Sequence, residues 1–394
     1  MINEQKVAEI RKLLSVPDDV VAVNVGSWGP LCRPALEAIK NYYDEDARNR
    51  RVHAHKKYMA VMDEELVAAR EEGAKFINAS PDEVCVCEST TLGMNIFLWG
   101  YDFQPGDEII SSSLENPAAK VPLKVIAKRK NLKLTFVDMG QGEKDLVEEV
   151  EKALSSKTKM ILLSDVDFAI GGRWNLKAIS QLAHKRGILV LADGVQAAGT
   201  NHIDVKDLDV DGYAIAAHKS CCGPDGSGFM YVKKDVLDVI HPTYAGVWTD
   251  AYHGAGDLIY PPNASRYEIS TRAFQAIVGG RAALKWLRED IGLPSAYERI
   301  DFLRTKLWDQ LSTIQGVHLY SWRKNSGALI TFRIDGIEPL DLVTTLTGLE
   351  IHSRTILISG ILGVRVAVGI WNRESDIDKI TEVIDSIAKE RAGK

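Results

Sequence analysis

Short apolar runs alternate with longer segments of helical periodicity through the first two thirds of the chain. Runs such as Ile161-Leu162-Leu163 and Ile188-Leu189-Val190-Leu191 are apolar at every position, as strands are when both faces of their sheet are covered. This alternation predicts a largely parallel sheet with helices on both faces. The predicted strands are 20–25, 84–87, 108–112, 132–137, 160–164, 188–192, 213–216 and 228–232, and the predicted helices are 34–43, 59–77, 90–98, 120–129, 145–154 and 176–186.

The pattern changes near Pro261, where long helical segments come first and short strands follow. Helices are predicted at 271–287, 294–311, 340–347 and 376–388, strands at 317–321, 328–334, 350–354 and 364–368, and a loop at 355–363. We therefore predict an α/β protein with a large domain over residues 21–264 and a smaller α+β domain over residues 265–394. The amphipathic helix in residues 1–20 is expected to pack against the smaller domain.

Composition narrows the class of protein. A chain of 394 residues with 45% hydrophobic and 26% charged residues is ordinary for a soluble globular protein. The net charge of -6 argues against a nucleic acid or an anionic membrane as partner. There is no apolar run of about 18 residues, and the charged start does not resemble a signal peptide, so a cytoplasmic protein is predicted. An odd count of 5 cysteines then predicts free thiols, and no metal site is predicted.

One lysine has an unusual place in this pattern. The apolar stretch 213–217 ends in His218-Lys219-Ser220, just before a turn that contains glycine and proline. An ammonium group at the end of a buried strand is costly unless it is paired or loses its proton. A neutral amine is the form that makes a Schiff base. Alternatively, Lys219 simply extends its charged end to water.

Two further positions at predicted strand ends bear on that choice, because ligands of open α/β sheets bind at the carboxyl ends of the strands. Ser89-Thr90-Thr91 leads into a helix whose N–H groups can bind an anion, although helix capping alone would explain these residues. Asp193 follows a buried strand and needs a cationic partner, such as a protonated pyridine nitrogen. An anion site, a buried carboxylate and a strand-end lysine are what pyridoxal 5′-phosphate (PLP) requires.

The motifs Asp193-Gly194-Val195-Gln196-Ala197 and Ala217-His218-Lys219 resemble those of the class V aminotransferase family, which has PLP fold type I. That family includes cysteine desulfurases, cysteine/cystine C–S lyases and isopenicillin N epimerases. The resemblance covers nearly the whole chain, and segments 98–100, 105–108 and 241–246 look most like the C–S lyase branch. It implies a PLP-binding large domain, a smaller domain and an amino acid as substrate.

The resemblance also implies roles for particular residues. Lys219 matches the lysine that holds the cofactor as a Schiff base and moves the Cα proton, and Asp193 matches the carboxylate that keeps the pyridine nitrogen protonated. Arg365 matches the arginine that binds the substrate α-carboxylate, a task that suits a bidentate guanidinium group. Further implied contacts are Gln196 to the phenolic oxygen, Thr90, Thr91 and His218 to the phosphate, Asn116 beside the ring, Ser27, Trp28 and Trp248 in the substrate pocket, and Thr271 to the phosphate of the neighbouring subunit. The last of these implies a homodimer with shared active sites.

Several positions depart from the family pattern. Asn116 replaces a histidine that stacks on the cofactor ring, and an asparagine can neither stack as an aromatic ring nor act as an acid near neutral pH. Asp165 and Asp167 occur in a segment where an amide beside the cofactor is expected. The loop predicted at 355–363, which carries the nucleophilic cysteine in cysteine desulfurases, contains no cysteine.

The reaction is less narrowly defined than the cofactor. The leading prediction is a PLP-dependent lyase of the β-eliminating C–S type, without an enzyme-bound persulfide. The alternatives are an amino-acid epimerase or racemase, an enzyme that forms a C–C or C–N bond, and a non-catalytic PLP-binding protein. Cys221 and Cys222 are interpreted as packing residues or, alternatively, as redox-sensitive thiols. A basic stretch with Arg50, Arg51, His53 and His55 is either a solvated surface or a contact to an acidic substrate side chain; other candidate pocket walls are Phe168 and Tyr252.

Overall fold

The computed structural model describes residues 2–50, 55–252, 254 and 256–392. The strands in this part of the chain are β1 (Val21–Ala22), β2 (Val84–Cys87), β3 (Glu108–Ser112), β4 (Lys133–Val137), β5 (Thr158–Ser164), β6 (Leu189–Asp193), β7 (Gly212–Ala216), β8 (Gly228–Val232), β9 (Val317–Leu319), β10 (Leu329–Ile334), β11 (Ile351–His352), β12 (Arg354–Ile358) and β13 (Ile361–Ala367). The helices are α1 (Glu4–Leu14), α2 (Arg33–Glu45), α3 (His55–Ile77), α4 (Thr90–Gly100), α5 (Pro117–Lys130), α6 (Leu146–Ala153), α7 (Leu176–His184), α8 (Val205–Leu208), α9 (Phe274–Trp286), α10 (Leu293–Ser312), α11 (Pro339–Gly348) and α12 (Glu374–Ala392).

The larger sheet has seven strands among the described residues, in the order β2-β8-β7-β6-β5-β3-β4. Only β8 runs antiparallel to its neighbours, β2 and β7, and the other adjacent pairs are parallel. The mostly parallel sheet predicted from the sequence is therefore confirmed. Its topology places the carboxyl ends of β5, β6 and β7 side by side, and this edge positions the candidate site.

Helices cover both faces of this sheet, as the apolar strands require. On β2, Val84 and Val86 belong to one buried cluster, whereas Cys85 and Cys87 belong to the other. The first cluster includes side chains from α3 and α7, and the second includes side chains from α4 and α5. Successive side chains of a strand point to opposite faces, so this division confirms that both faces are buried.

A second, four-stranded antiparallel sheet has the order β12-β13-β10-β9 and packs with α10 and α12. The helix α1 joins this part of the chain, because Arg11 donates to the carbonyl of Trp371 and Arg299 binds Glu4. The N-terminal helix thus contacts α10 and the segment before α12, while its assignment to the smaller domain stays a prediction. The strand predicted at 20–25 is reduced to β1, which pairs with β11 rather than with the large sheet. The exact domain boundaries stay a prediction.

The loop predicted at 355–363 is wrong, since this segment forms an antiparallel hairpin of β12 and β13. Ile356 is 2% exposed and Leu357 is 79% exposed, the alternation of a half-buried strand. The turn residues Ser359 and Gly360 both have positive φ angles, 45° and 80°, as a two-residue hairpin turn of type I′ requires. The β-branched residues of this segment favour strands, and the Ser-Gly turn joins these strands into a hairpin, so no irregular loop forms.

Among the described residues, no helix is both long enough and apolar enough to cross a membrane.

Candidate active site

Lys219 lies just beyond the carboxyl end of β7, in a turn closed by a hydrogen bond from the Cys222 N–H to the Lys219 carbonyl (2.9 Å). The loop after β1 lies directly on this turn, because the Gly29 N–H donates to the carbonyl of His218 at 2.9 Å. A Cβ atom at Gly29 would lie 2.0 Å from the Lys219 carbonyl oxygen. Glycine at position 29 thus permits the close approach of two loops that frame the lysine.

Asp193 ends β6, the strand next to β7, and its side chain is 2% exposed. Its Oδ1 accepts a hydrogen bond from the Val195 N–H at 2.9 Å. Burial raises the pKa of Asp193, while the Val195 N–H and the charge of Lys219 act in the opposite direction. Burial lowers the pKa of Lys219 to about 8, opposed by Asp193 and assisted by Arg365 and Arg354. These two groups fit PLP. Its protonated pyridine nitrogen would be the cation that Asp193 lacks, and its aldehyde would react with the partly neutral amine of Lys219.

The predicted phosphate-binding residues lie at the N-terminus of α4. Ser89 caps this helix by accepting from the Leu92 N–H at 3.2 Å. Thr90 is buried, Thr91 is half-buried, and neither hydroxyl makes a hydrogen bond within the described chain. Free hydroxyls and N–H groups at the start of an eleven-residue helix suit a phosphate. His218, also predicted to bind phosphate, is half-buried and precedes Lys219.

Gln196 is buried, and its Nε2 donates to the carbonyl of Gly26 at 2.9 Å. This contact orients the amide and ties it to the loop that carries Ser27. Asn116 caps α5, since its Oδ1 accepts from the Ala118 N–H at 2.8 Å. Its preference for helix capping explains why an asparagine is stable here, and the capping bond fixes the side chain at the position predicted to lie beside the ring.

Arg365 is 1% exposed in the middle of β13. Its Nη1 donates to the carbonyl of Phe168 at 2.7 Å and its Nη2 to the hydroxyl of Ser27 at 3.5 Å, whereas Nε has no partner among the described residues. Burial lowers the pKa of Arg365 to about 9, the charge of Arg354 adds to this effect, and Asp167 opposes it. A buried guanidinium group with unused donors is poised to bind an anion, as predicted for the substrate carboxylate.

Arg354 belongs to the same site, although no role was predicted for it from the sequence. It is the direct cross-strand neighbour of Arg365 in the hairpin, and its Nη1 donates to the Ser27 hydroxyl at 3.3 Å. Two guanidinium groups therefore share one hydroxyl acceptor. Like charges at opposed positions of two strands are unfavourable unless an anion lies between them. A correctly predicted hairpin would have placed Arg354 opposite Arg365, but the segment was predicted to be a loop.

Asp165 and Asp167, the unexpected carboxylates, are both fully buried but face different partners. Asp165 is held by Arg173, with Nε–Oδ1 and Nη2–Oδ2 distances of 2.9 and 3.2 Å, and by the Tyr213 hydroxyl at 2.7 Å. Asp167 accepts from the N–H groups of Ala169 and Ile170, and burial raises its pKa to about 7. Asp165 thus forms a structural ion pair just beyond the carboxyl end of β5, and Asp167 contributes negative charge near Arg365.

Glu115 is a further buried carboxyl group that sequence reasoning missed. It accepts from the N–H and the hydroxyl of Ser164, each at 2.6 Å, and burial raises its pKa to about 8. Asp167 and Asp193 contribute to this increase. The only sequence signal was a glutamate just before Asn116, and a single acidic residue does not reveal its burial.

Three predicted residues are not brought into contact with Lys219. Trp28 is 68% exposed, although it follows Ser27 directly. Trp248 packs edge-on against Phe274, with ring centroids 6.2 Å apart. Thr271 is exposed and precedes α9 rather than opening it, because the non-helical Ala273 delays the helix start.

Of the remaining predicted positions, Tyr252 is exposed. Arg51 and His53 lie outside the described residues, as do the side chains of Arg50 and His55.

The cysteines are all free and buried. Burial raises the pKa of Cys32 to about 11 and that of Cys87 to about 12, and it raises the pKa of Cys85, Cys221 and Cys222 as well. These thiols are therefore neutral packing groups near neutral pH, which agrees with the interpretation of Cys221 and Cys222. Cys85 and Cys87 share one face of β2.

This fold, with a buried aspartate and a lysine at adjacent strand ends, defines PLP fold type I, and solved structures share it. C-DES, as a lysine-to-alanine mutant with glycine covalently linked to its PLP cofactor, gives a TM-score of 0.89 at 25% identity, covering 95% of this chain and 98% of that chain. The complex of the cystine C-S lyase C-DES with its reaction product cysteine persulfide gives a TM-score of 0.87 at 26% identity, covering 93% and 98%.

The model of the family described as Aminotransferase class-V matches residues 29–380, and the chain belongs to that family. A probable cysteine desulfurase of Halalkalibacterium halodurans is 29% identical over 397 residues, covering 96% of this chain and 97% of the relative. A probable cysteine desulfurase of Synechocystis sp. is 30% identical over 325 residues, covering 79% and 75%. The predicted family, fold type and PLP cofactor are thereby confirmed.

Proposed function

We propose that this chain is a PLP-dependent lyase that eliminates a sulfur leaving group from Cβ of an amino acid. One observation carries the proposal. Arg354 and Arg365 both donate to the Ser27 hydroxyl near Lys219, and the hairpin that holds these two arginines contains no cysteine. The arginines provide for an anionic amino acid, and the sequence of the hairpin offers no thiol to accept its sulfur.

Each residue of the site has a separate role in the proposed elimination. Bound PLP supplies an electron sink for the charge that develops at Cα. Arg365 binds the α-carboxylate and thereby orients the Cα–H bond toward Lys219. Lys219 removes the Cα proton as a neutral amine, a form that its lowered pKa makes accessible near neutral pH. Asp193 keeps a proton on the pyridine nitrogen, because a buried carboxylate stabilises a cation next to it.

Arg354 extends this proposal to the class of substrate. A monocarboxylate occupies Arg365 and leaves the exposed Arg354 without an anion. An amino acid with a second anionic group on its leaving side would engage both guanidinium groups and relieve their mutual repulsion. Cystine has this character, since the departing half carries its own carboxylate. We therefore propose cystine or another S-linked dicarboxylate as the preferred substrate.

The fate of the sulfur separates this proposal from a desulfurase that stores a persulfide on a cysteine. A nucleophilic cysteine must be accessible and must form a thiolate. The five cysteines of this chain are buried, and burial raises the pKa of each. We therefore propose that the sulfur leaves with the product, and that alanine, the organic product of a desulfurase, is not formed.

Product analysis with cystine tests the proposal. Elimination cleaves the Cβ–S bond, the Cα proton balances the departing thiolate, and water then converts the three-carbon fragment to pyruvate and ammonia. The expected yield is one pyruvate, one ammonia and one cysteine persulfide per cystine, and Lys219→Ala should form none of them. Stoichiometric alanine with sulfur retained on the protein would refute the proposal.

An epimerase or racemase is a second candidate, supported by the carboxyl groups of Glu115 and Asp167. Their pKa values are raised to about 8 and about 7, so each is partly protonated near neutral pH and could return a proton to the other face of Cα. This reaction exchanges the Cα proton for solvent deuterium and destroys optical activity without ammonia release. Formation of a C–C or C–N bond stays a prediction.

A homodimer remains part of the proposal. Thr271 is exposed, although the family resemblance assigns it to a phosphate, and exposed apolar side chains at Tyr244, Tyr252, Leu258 and Ile259 lie in the segment before it. A second copy that covers this surface would bring its Thr271 to the site. Light scattering should give twice the monomer mass, and a monomer that binds PLP fully would contradict the shared site.

A further inference from the structure

A separate cavity of about 820 Å³, whose lining does not include Lys219, lies where the segments after β5 and β6 meet α10 and the β9–β10 connection. None of the residues predicted to bind PLP or substrate lines it. Its volume lies in the range of small-molecule sites, about 300–1,000 Å³. The cavity is therefore a candidate for a second ligand site.

Basic side chains dominate the charged lining of this cavity among the described residues. Arg173, Arg304, Arg323 and Lys324 line it, and Asp301 is the acidic side chain that accompanies them. This excess of basic groups lies on a chain with a net charge of -6. Carboxylates pair with three of these groups, Asp165 with Arg173, Asp301 with Arg304 and Asp309 with Arg323, and Lys324 remains as the unpaired charge in the described part of the lining.

Two of these arginines are already held in place by carboxylates. Arg173 uses Nε and Nη2 to bind Asp165, and Arg323 uses the same two atoms to bind Asp309 at 2.7 and 2.8 Å. In both side chains Nη1 makes no hydrogen bond within the described chain. An anion that binds Nη1 would pay little side-chain entropy, because each guanidinium group is already fixed.

Three further lining residues carry hydrogen-bond donors. Lys324 is exposed and forms no ion pair in the part of the chain described. Trp174 is 6% exposed, and its indole Nε1 has no hydrogen-bond partner there. The Tyr297 hydroxyl is likewise buried without a partner. The polar atoms of Trp174 and Tyr297 are enclosed, so the donors open to a ligand are Lys324 and the Nη1 groups of Arg173 and Arg323.

We propose that this cavity binds a small multivalent oxyanion through Arg173, Arg323 and Lys324, and that Arg173 transmits its binding to Asp193. The ligand class is an organic phosphate or a polycarboxylate, whose oxygens match guanidinium donors. The site is independent of the reaction proposed above, and its occupant is a regulator rather than a substrate.

The route of transmission is short and buried. Arg173 binds Asp165, and Asp165 accepts the Tyr213 hydroxyl at 2.7 Å and donates its own N–H to the Asp193 carbonyl at 2.9 Å. The Tyr213 ring also packs against Gly194, where a Cβ atom would lie 2.0 Å from its Cε1. An anion on Arg173 weakens the compensation of Asp165, and the negative potential at Asp193 increases as a result.

Calorimetry of the PLP-loaded protein tests the binding, with pyrophosphate and citrate as separate probes at low ionic strength. Loading with PLP keeps the cofactor's phosphate site filled. One saturable site per chain is expected, with affinity at least tenfold lower in Lys324→Ala and Arg323→Gln. Lys185→Ala removes an exposed lysine outside the cavity and should bind as the wild type does. An unchanged cofactor absorbance spectrum verifies the fold of each variant.

Each outcome decides a part of the proposal. Binding of pyrophosphate alone identifies a phosphate ligand, binding of citrate alone identifies a polycarboxylate, and both must weaken in the two cavity variants. Absence of binding, or equal affinity in wild type and both cavity variants, overturns the site. A pH titration of the cofactor absorbance should shift upward by a few tenths of a unit with the bound probe. Binding without that shift overturns the transmission through Arg173.

Discussion

Lys219 in the cofactor-free protein is predicted to titrate near pH 8 rather than near 10.5. Burial is the main cause, and the charges of Arg365 and Arg354 add to it against the attraction of Asp193. At pH 7.5 an amine with a pKa of about 8 is about one quarter neutral, whereas one with an ordinary pKa is about 0.1% neutral. The reactive form of Lys219 is therefore about 200-fold more abundant than that of a solvated lysine.

The assay is the rate at which visible absorbance develops when cofactor-free protein is mixed with PLP between pH 6.5 and 10. Nα-acetyl-lysine, measured in parallel, corrects for the titration of PLP itself. The corrected protein rate should rise with a midpoint near pH 8 and then level off. Arg354→Gln removes one of the charges that lower the pKa, so its midpoint should move upward. A midpoint near 10.5 in both proteins would refute the electrostatic account of Lys219.

Three substitutions test the roles of Asp165, Gly29 and Arg354. Asp165→Asn leaves the half-buried Arg173 without its carboxylate and should cost about 3 kcal/mol, seen as a lower melting temperature of the cofactor-free protein. Gly29→Ala places a Cβ atom 2.0 Å from the Lys219 carbonyl oxygen and should weaken PLP binding at least tenfold in a spectroscopic titration. Arg354→Gln should raise KM for cystine by roughly 10- to 100-fold, but alter KM little for a substrate that has no second anionic group.

Matched variants separate these effects from general damage. Asp309→Asn breaks an exposed ion pair of the same geometry and should cost less than about 1 kcal/mol. Gly348→Ala adds a Cβ atom that meets nothing within 4 Å, so PLP binding should be unchanged. Arg186→Gln removes an exposed arginine far from the hairpin in sequence and should leave KM as it is. Equal effects in a variant and its control would contradict the proposed role.

The large sheet could be predicted because its strands carry a strong local signal. Fully apolar runs such as 161–163 require burial on both faces, and turns bound them on both sides. The same strands determine where their carboxyl ends meet, so the proximity of Asp193 and Lys219 followed from the alternation of strands and helices. Asp193 ends β6 and Lys219 follows the neighbouring strand β7, which agrees with that expectation.

The hairpin could not be predicted, since its signal is weak and depends on pairing. Ile356 and Leu357 fit a strand, but only the register with β13 places Arg354 opposite Arg365. Glu115 was missed, and the role of Asp165 was left open, for a similar reason. Their burial and partners arise from contacts with Ser164 and Arg173 that no local pattern encodes.

The location of the cofactor tests the central claim most directly. Lys219 and Lys120 are both at least half-buried, and burial lowers the pKa of each, so both are chemically capable of reacting with PLP. Borohydride reduction of the PLP-loaded protein, followed by peptide mass spectrometry, identifies the lysine that holds the cofactor. We expect one phosphopyridoxyl group per chain, on Lys219. A label on Lys120 or elsewhere, with Lys219 unmodified, would contradict it.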